Sequence, residues 1–302
     1  MLEPKRGIGA FAANVALRTL IGVPMLLPYS WRVPLVGWLA AHVVAPVAGY
    51  RRRIRANLAY ACPDLSEAEI RRLCIAVPDN AGRVLAELYS PEARIMRHAA
   101  LPLTGPGVAA LEQAKAEGRP IIAVSGHFGS YDALRLAFHQ RGYNVGGLYR
   151  PMRNAYFNAH YVRRLKTIAE PLFEQGRRGL GQMIKHLRQG NMIALLTDQR
   201  DLPGGVPLSF FGKTVFTPLS AAELALKHDA LIFCCYGIRQ ENGLDFDLVI
   251  EEPIPHSDAE TMMQAVNDSL EAQVRAHMGQ WLWVHNRWNL YGRGHKDNPT
   301  AH

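Results

Sequence analysis

Apolar and polar positions along this chain separate an apolar N-terminal stretch from a long alternation of short apolar runs and amphipathic ones. Residues 7 to 50 are apolar with sparse charges, and the longest uncharged run, Val33 to Tyr50, has 18 residues. Ser66-Glu67-Ala68-Glu69 is a capping box that opens a helix; Pro78 is expected to kink or restart it before Ser90-Pro91. Beyond about residue 105 the runs predict strands at about 121–125, 144–149, 192–197, 231–238 and 245–251. Helices are expected between them, at about 107–117, 130–141, 154–166, 177–189 and 217–228. A last helix starts at a second capping box, Ser257-Asp258-Ala259-Glu260; Met262, Val266, Leu270, Val274 and Met278 recur along it every four residues as a packing stripe.

This order predicts an α/β fold, a three-layer sandwich with a largely parallel central sheet, preceded by N-terminal membrane-associated helices. The expected division is a membrane-associating segment over 1–60 and an α/β domain over 61–302. Sites in such folds lie beyond the carboxyl ends of the strands, where His127 and Asp198 both emerge.

Composition narrows the class. A chain of 302 residues, 48% hydrophobic, buries one large core or two modest ones. Cys62, Cys74, Cys234 and Cys235 show no CxxC spacing, so a zinc ribbon or a disulfide framework is not expected and a reducing cytosolic setting fits best. Charge is uneven. Residues 1–60 hold eight basic residues, Lys5, Arg6, Arg18, Arg32, Arg51, Arg52, Arg53 and Arg55, against Glu3 alone, which is +7 of a total of +8.

An apolar stretch that ends in Arg51-Arg52-Arg53-Ile54-Arg55 points to a membrane. Its length just reaches the lower limit for a span, while Pro34, Pro46 and His42 work against a regular spanning helix and against a cleavable signal peptide. Two readings stand: one marginal span with its arginines on the cytoplasmic side, or helices lying in the interface. Both place the protein on an anionic membrane surface; a buried pair of core helices is the third alternative. Nucleic-acid binding is not expected, because the basic residues are spaced by apolar stretches rather than by aromatic stacking platforms.

The chemistry centres on Ile122-Ala123-Val124-Ser125-Gly126-His127-Phe128-Gly129-Ser130-Tyr131-Asp132. A strand ending in small residues delivers His127 to the sheet edge, and Asp132, in the first turn of the next helix, would reach back to one imidazole nitrogen. The other nitrogen would take a proton from a hydroxyl, the arrangement of a general-base dyad. The alternative is a histidine that fills a turn. No GxSxG elbow or adjacent nucleophile accompanies it, so no covalent intermediate is indicated.

Four further blocks follow in order: Leu148-Tyr149-Arg150-Pro151-Met152-Arg153-Asn154, Thr197-Asp198-Gln199, Gly205 to Gly212 with Thr217-Pro218, and Trp281-Leu282-Trp283-Val284-His285-Asn286-Arg287-Trp288. Together with Gly126-His127-Phe128-Gly129 and Asp132 they resemble the ordered blocks of the bacterial lipid A biosynthesis acyltransferases, the lauroyl/myristoyl transferase family. That family shares its His-x-x-x-x-Asp/Glu dyad with the glycerolipid acyltransferases. The resemblance implies an O-acyltransferase of the inner membrane, its catalytic domain on the cytoplasmic face. It would move an acyl chain from acyl carrier protein, or alternatively coenzyme A, to the 3-hydroxyl of a lipid-bound 3-hydroxyacyl chain. His127 is then the base and Asp132 its orienting partner. No cofactor or metal is implied, because a thiolate leaves readily without a Lewis acid.

Other residues take expected roles around this centre. Arg150 suits an anionic group or an oxyanion, or else a surface ion pair. Asn154, Asp198 and Gln199 are placed at the substrate site, the last two either shaping it or capping a loop. Phe210 and Phe211 line an acyl groove or pack a turn. Trp281, Trp283 and Trp288 sit at the lipid interface or complete the core, Arg287 is a second headgroup contact, and His285 is structural. The acceptor is a lipid A precursor, whose phosphates Arg150, Arg153, Arg163, Arg164, Arg177 and Arg178 would meet, or a lyso-aminolipid of the ornithine-lipid type. The rival classes are a lipid hydrolase or thioesterase and a membrane-binding module without activity.

Overall fold

Runs such as Ile121–Ser125, apolar at consecutive positions, have both faces covered, and the computed structural model builds its central sheet from them. It describes residues 6–98, 100–199 and 204–288. The seven strands are β1 (Leu103–Thr104), β2 (Ile121–Ser125), β3 (Val145–Tyr149), β4 (Leu172–Glu174), β5 (Met192–Leu196), β8 (Leu231–Arg239) and β9 (Phe246–Pro253), in the order β1-β9-β8-β2-β5-β3-β4. Every neighbouring pair is parallel except β8 with β9.

Alternate side chains of β2 enter different layers. Ile122 and Val124 join a core built with α10 (Arg177–Leu187), α11 (Ser220–His228) and α12 (Ala259–Ala276). Ile121 and Ala123 join another, built with α7 (Val108–Ala116), α8 (Tyr131–Gln140) and α9 (Ala155–Lys166). This is the three-layer sandwich expected from the alternation of elements. The predicted strands and helices fall within a few residues of their places. The short edge strands β1 and β4 give no pattern long enough to read, and they went unforeseen.

Three local expectations change. The helix opened by the Ser66 capping box, α5 (Glu67–Leu88), runs unbroken through a buried Pro78. The cap of α12 is Asp258, whose side chain accepts from the Thr261 amide, rather than Ser257. An antiparallel hairpin, β6 (Val206–Phe210) with β7 (Lys213–Thr217), occupies the segment before α11. Phe211 and Gly212 make its turn at φ 55° and 64°, the left-handed pair that tight hairpins require.

The N-terminal helices are α1 (Ile8–Gly22), α2 (Tyr29–Leu39), its continuation through α3 (Ala45–Val47), and α4 (Tyr50–Ala61). At Gly49, φ 69°, the chain turns by 87° into α4. Ile54, Leu58 and Ala61 of α4 belong to the same core as Ile122 and Val124. Lys5 lies outside the described residues.

Candidate active site

Register brings the site together. β2 and β5 pair residue for residue, Ser125 opposite Leu196, and two residues further each strand delivers a polar side chain: His127 from one, Asp198 from the other. His127 Nδ1 donates to Asp198 Oδ1 at 2.7 Å, while the His127 amide and Trp281 Nε1 donate to Asp198 Oδ2 at 2.7 and 2.9 Å. A carboxylate that accepts three N–H groups beside an imidazole stays ionised, even where burial disfavours charge. Burial works to raise the pKa of Asp198, but the charge and hydrogen bonds of His127 hold it well below the ordinary carboxylate value. For His127 the balance is reversed in sign. Burial alone would lower its pKa, yet the charge and hydrogen bond of Asp198, with a smaller contribution from the charge of Asp132, leave it raised above 6.5.

Asp132 is therefore not the hydrogen-bond partner of His127. Its buried carboxylate accepts from Arg135 Nη1 at 3.3 Å, one turn along α8, and Arg135 also donates to the Ala169 carbonyl. The ring nitrogen that Asp132 would have taken is already held by Asp198, 71 residues away.

The turn between β2 and α8 is tightly fixed. Gly129 has φ 54°, and a Cβ there would lie 2.0 Å from the Gly237 carbonyl oxygen. Its amide donates to the Gln280 carbonyl, and the Ser130 amide donates to Gly237. A buried polar network backs this turn. Asn80 of α5 donates to the Gly129 and Gln280 carbonyls, and Arg239 bonds both Asn80 and Glu87.

The C-terminal block forms the third wall. The Leu282 amide donates to the His127 carbonyl at 3.1 Å, and Trp281 bridges to Phe128. His285 stands edge-on to His127, ring centroids 4.9 Å apart. Burial pushes its pKa down to about 4, with the nearby His127 and Arg287 adding to the fall and Asp198 opposing it. Asn57 of α4 holds this wall, its Nδ2 donating to the Trp283 and His285 carbonyls at 2.5 and 2.8 Å.

The remaining expected residues divide. Gln199 comes to the centre, its amide nitrogen 3.4 Å from His127 Nε2. Arg150 is exposed beyond the carboxyl end of β3, at the same sheet edge and two strands from His127. Asn154 is engaged within the protein through both ends of its amide. Its Oδ1 accepts from the Tyr156 and Phe157 amides to cap α9, and its Nδ2 donates to the Ala10 carbonyl of α1. Phe210 and Phe211 are buried against Trp281, Trp283 and Trp288, so they pack the hairpin turn and the three tryptophans complete the core. Arg287 is 2% exposed and meets no headgroup; it donates to the Gln199 and Phe216 carbonyls, Thr217 and Asn267, tying the hairpin to the loop after β5. Burial lowers its pKa to about 10.

A cavity of about 90 Å³ opens beside His127, with Gly129, Tyr131 and Trp281 on one wall and Val77, Ala81 and Val84 of α5 on the other. Among the described residues no cluster of three His, Cys, Asp or Glu could hold a metal ion. The sequence marks His285 as structural and gives no sign of Asn57. His285 had a visible signal in its dense aromatic block, whereas nothing near Asn57 in the chain marks it.

The sequence is similar to that of known proteins. A curated lipid A biosynthesis acyltransferase of Haemophilus influenzae is 24% identical over 264 residues, which cover 85% of this chain and 81% of that protein. The family model for bacterial lipid A biosynthesis acyltransferases matches residues 5–289, nearly the whole chain. The chain belongs to the bacterial lipid A biosynthesis acyltransferase family and is an acyltransferase.

Proposed function

We propose that the protein is a membrane-bound O-acyltransferase that moves a fatty acyl chain from acyl carrier protein to the 3-hydroxyl of a 3-hydroxyacyl chain on a lipid A precursor. The observation that carries this reading is the His127–Asp198 pair at the carboxyl edge of the sheet. With Nδ1–H committed to a carboxylate, neutral His127 presents the Nε2 lone pair outward, the tautomer a general base needs.

The reaction then needs little else. Nε2 takes the proton as the acceptor oxygen attacks the thioester carbonyl, and Asp198 stabilises the imidazolium that forms. The tetrahedral oxyanion collapses, the C–S bond breaks, and the departing sulfur takes the proton from the imidazolium. Gln199 stands near Nε2 and would shift aside to let the hydroxyl in, its amide then available to the oxyanion. Asp132 contributes its charge alone.

Substrate placement follows from the surroundings. The cavity is small against the several hundred Å³ usual for ligand sites. It receives the reacting end of a chain, while the remainder lies along α5, where Ala81 and Leu85 are exposed. Arg150 and Arg153 follow β3, and Arg177 and Arg178 follow β4, all exposed on the carboxyl edge. At ordinary strand spacing Arg150 stands about 10 Å from the strand of His127. That distance suits a phosphate on the acceptor better than the reacting carbonyl, and it favours a phosphorylated lipid A precursor over an aminolipid. Acyl carrier protein as donor places the catalytic body on the cytoplasmic face of the inner membrane.

The test is acyl transfer in detergent micelles, with acyl-acyl carrier protein and a phosphorylated, 3-hydroxyacylated glucosamine disaccharide, read by mass spectrometry. Gain of one ester-linked acyl chain, lost in His127→Ala, is the expected result. Acylation of a 3-hydroxyacyl ornithine-type lipid alone would move the assignment to that acceptor. Free fatty acid released from the donor, undiminished by acceptor, would make the protein a hydrolase.

A further inference from the structure

The segment Ile8–Leu26 is long and apolar enough to cross a membrane, and the bent pair Tyr29–Val47 and Tyr50–Ala61 passes the same criterion together. Both touch the α/β body, the first along a narrow stripe. α1 is held near its start by Asn154, which donates to the Ala10 carbonyl at 2.7 Å, and by Tyr156, whose ring meets Phe11 edge-on at 5.6 Å. Asn14 is buried, and Ile21 and Met25 pack against the second core. Contact is thus a narrow stripe at Ala10, Phe11, Asn14, Ile21 and Met25, and most of the segment's surface is exposed. Its other faces carry Ile8, Val15, Leu20, Val23 and Leu26 outward, Ile8 at 90% and Leu26 at 86% exposure.

The second helix repeats the plan. Val33, Gly37, Ala41 and Ala45 are buried at four-residue intervals, and the helix lies on α5 through a close approach of Gly37 to Gly82. Trp31, Trp38, Val43, Val44 and Val47 face outward.

What lies beside each helix decides its orientation. The Asp79–Arg83 ion pair stands against Gly37, near the middle of the 29–47 helix; a Cβ on Gly37 would come within 2.6 Å of Asp79 Oδ1. α1 contains Arg18, and the neighbouring α9 carries Arg163 and Arg164. If either helix crossed the bilayer, these charges would enter the hydrocarbon, where an ionised side chain is most costly. A helix lying flat leaves them on the water side. It sets the outward apolar residues among the acyl chains and lets Arg18 and the Arg51–Arg53 cluster meet anionic headgroups.

We propose that both N-terminal helices lie in the membrane interface and that neither crosses it, forming one platform for an anionic lipid surface. The proposal rests on the membrane reading above. Single cysteines at Arg6, Pro28 and Ala48, all exposed positions flanking the two helices, test it. They are introduced in a Cys62→Ser background, with Arg188→Cys marking the face of the catalytic body. Sealed vesicles of both orientations are treated with a membrane-impermeant maleimide.

The expected result is modification of all three from the face that labels Arg188→Cys. Modification of any one from the opposite face, or from neither, overturns the proposal while leaving membrane binding intact. Recovery of the protein in the soluble fraction would overturn the membrane reading as well.

Discussion

Replacing Asp198 by asparagine separates the two carboxylates that surround His127. Asp198 touches Nδ1 at 2.7 Å, whereas Asp132 is bonded to Arg135 and acts on the ring only through its field. When the base takes a proton, the new imidazolium and Asp198 have charge centres about 4 Å apart, worth about 4 kcal/mol at an effective dielectric near 20. That energy is present in the transition state and absent from the neutral ground state, so its loss is read in kcat as a fall of about 1000-fold. The asparagine amide can also donate to Nδ1 and force the proton onto Nε2, adding to the loss. Asp132→Asn removes only a distant charge and should cost no more than about tenfold, near 1.4 kcal/mol. The assay is initial rate at saturating acceptor, with thermal melting alongside, because Asp198 also satisfies the His127 amide and Trp281 Nε1. A larger fall in kcat for Asp132→Asn than for Asp198→Asn, with both variants folded, would refute the assignment of the partner.

Three further outcomes follow from the same geometry. Because the base must be neutral and its pKa is raised, kcat/KM should fall on the acid side through an apparent pKa above 6.5; in Asp198→Asn, where burial remains without its counter-charge, this limb should move below 6.5. His285, held near 4, excludes a proton that the unfolded chain binds below 6.5. Stability should therefore decline as pH falls from 6.5 to 4, by about 3 kcal/mol at the lower limit, and His285→Gln should remove that decline in chemical denaturation curves. Gly129→Ala places a Cβ at 2.0 Å from the Gly237 carbonyl at a left-handed φ, and should cost about 3 kcal/mol in unfolding free energy with loss of activity.

Much of the fold was legible because its periods are local. Apolar runs of strand length between amphipathic helices dictate an α/β sheet, and the capping box at Ser66 marks a helix start within four residues. Pro78 misled because a proline inside a buried helix is tolerated where packing holds the turn around it. The hairpin at β6 and β7 escaped notice, since Phe211 holds the first turn position, ahead of Gly212, where asparagine, aspartate or glycine usually signals one.

His127 and its place at a strand end were written in the chain itself, as were the basic, apolar N-terminus and the ordered blocks that mark the family. Its partner was not. Asp132 is close in sequence, but the first turn of α8 commits its carboxylate to Arg135, while the parallel register of β2 and β5 carries Asp198 to the imidazole from 71 residues away. Only tertiary packing distinguishes an aromatic that lines a groove from one that fills a core, as with Phe210, or an arginine on a headgroup from one buried among carbonyls, as with Arg287. Local pattern determines which residues form an element and which face is apolar. Which polar atoms then meet depends on strand register and layer packing, and those arise from contacts between distant segments.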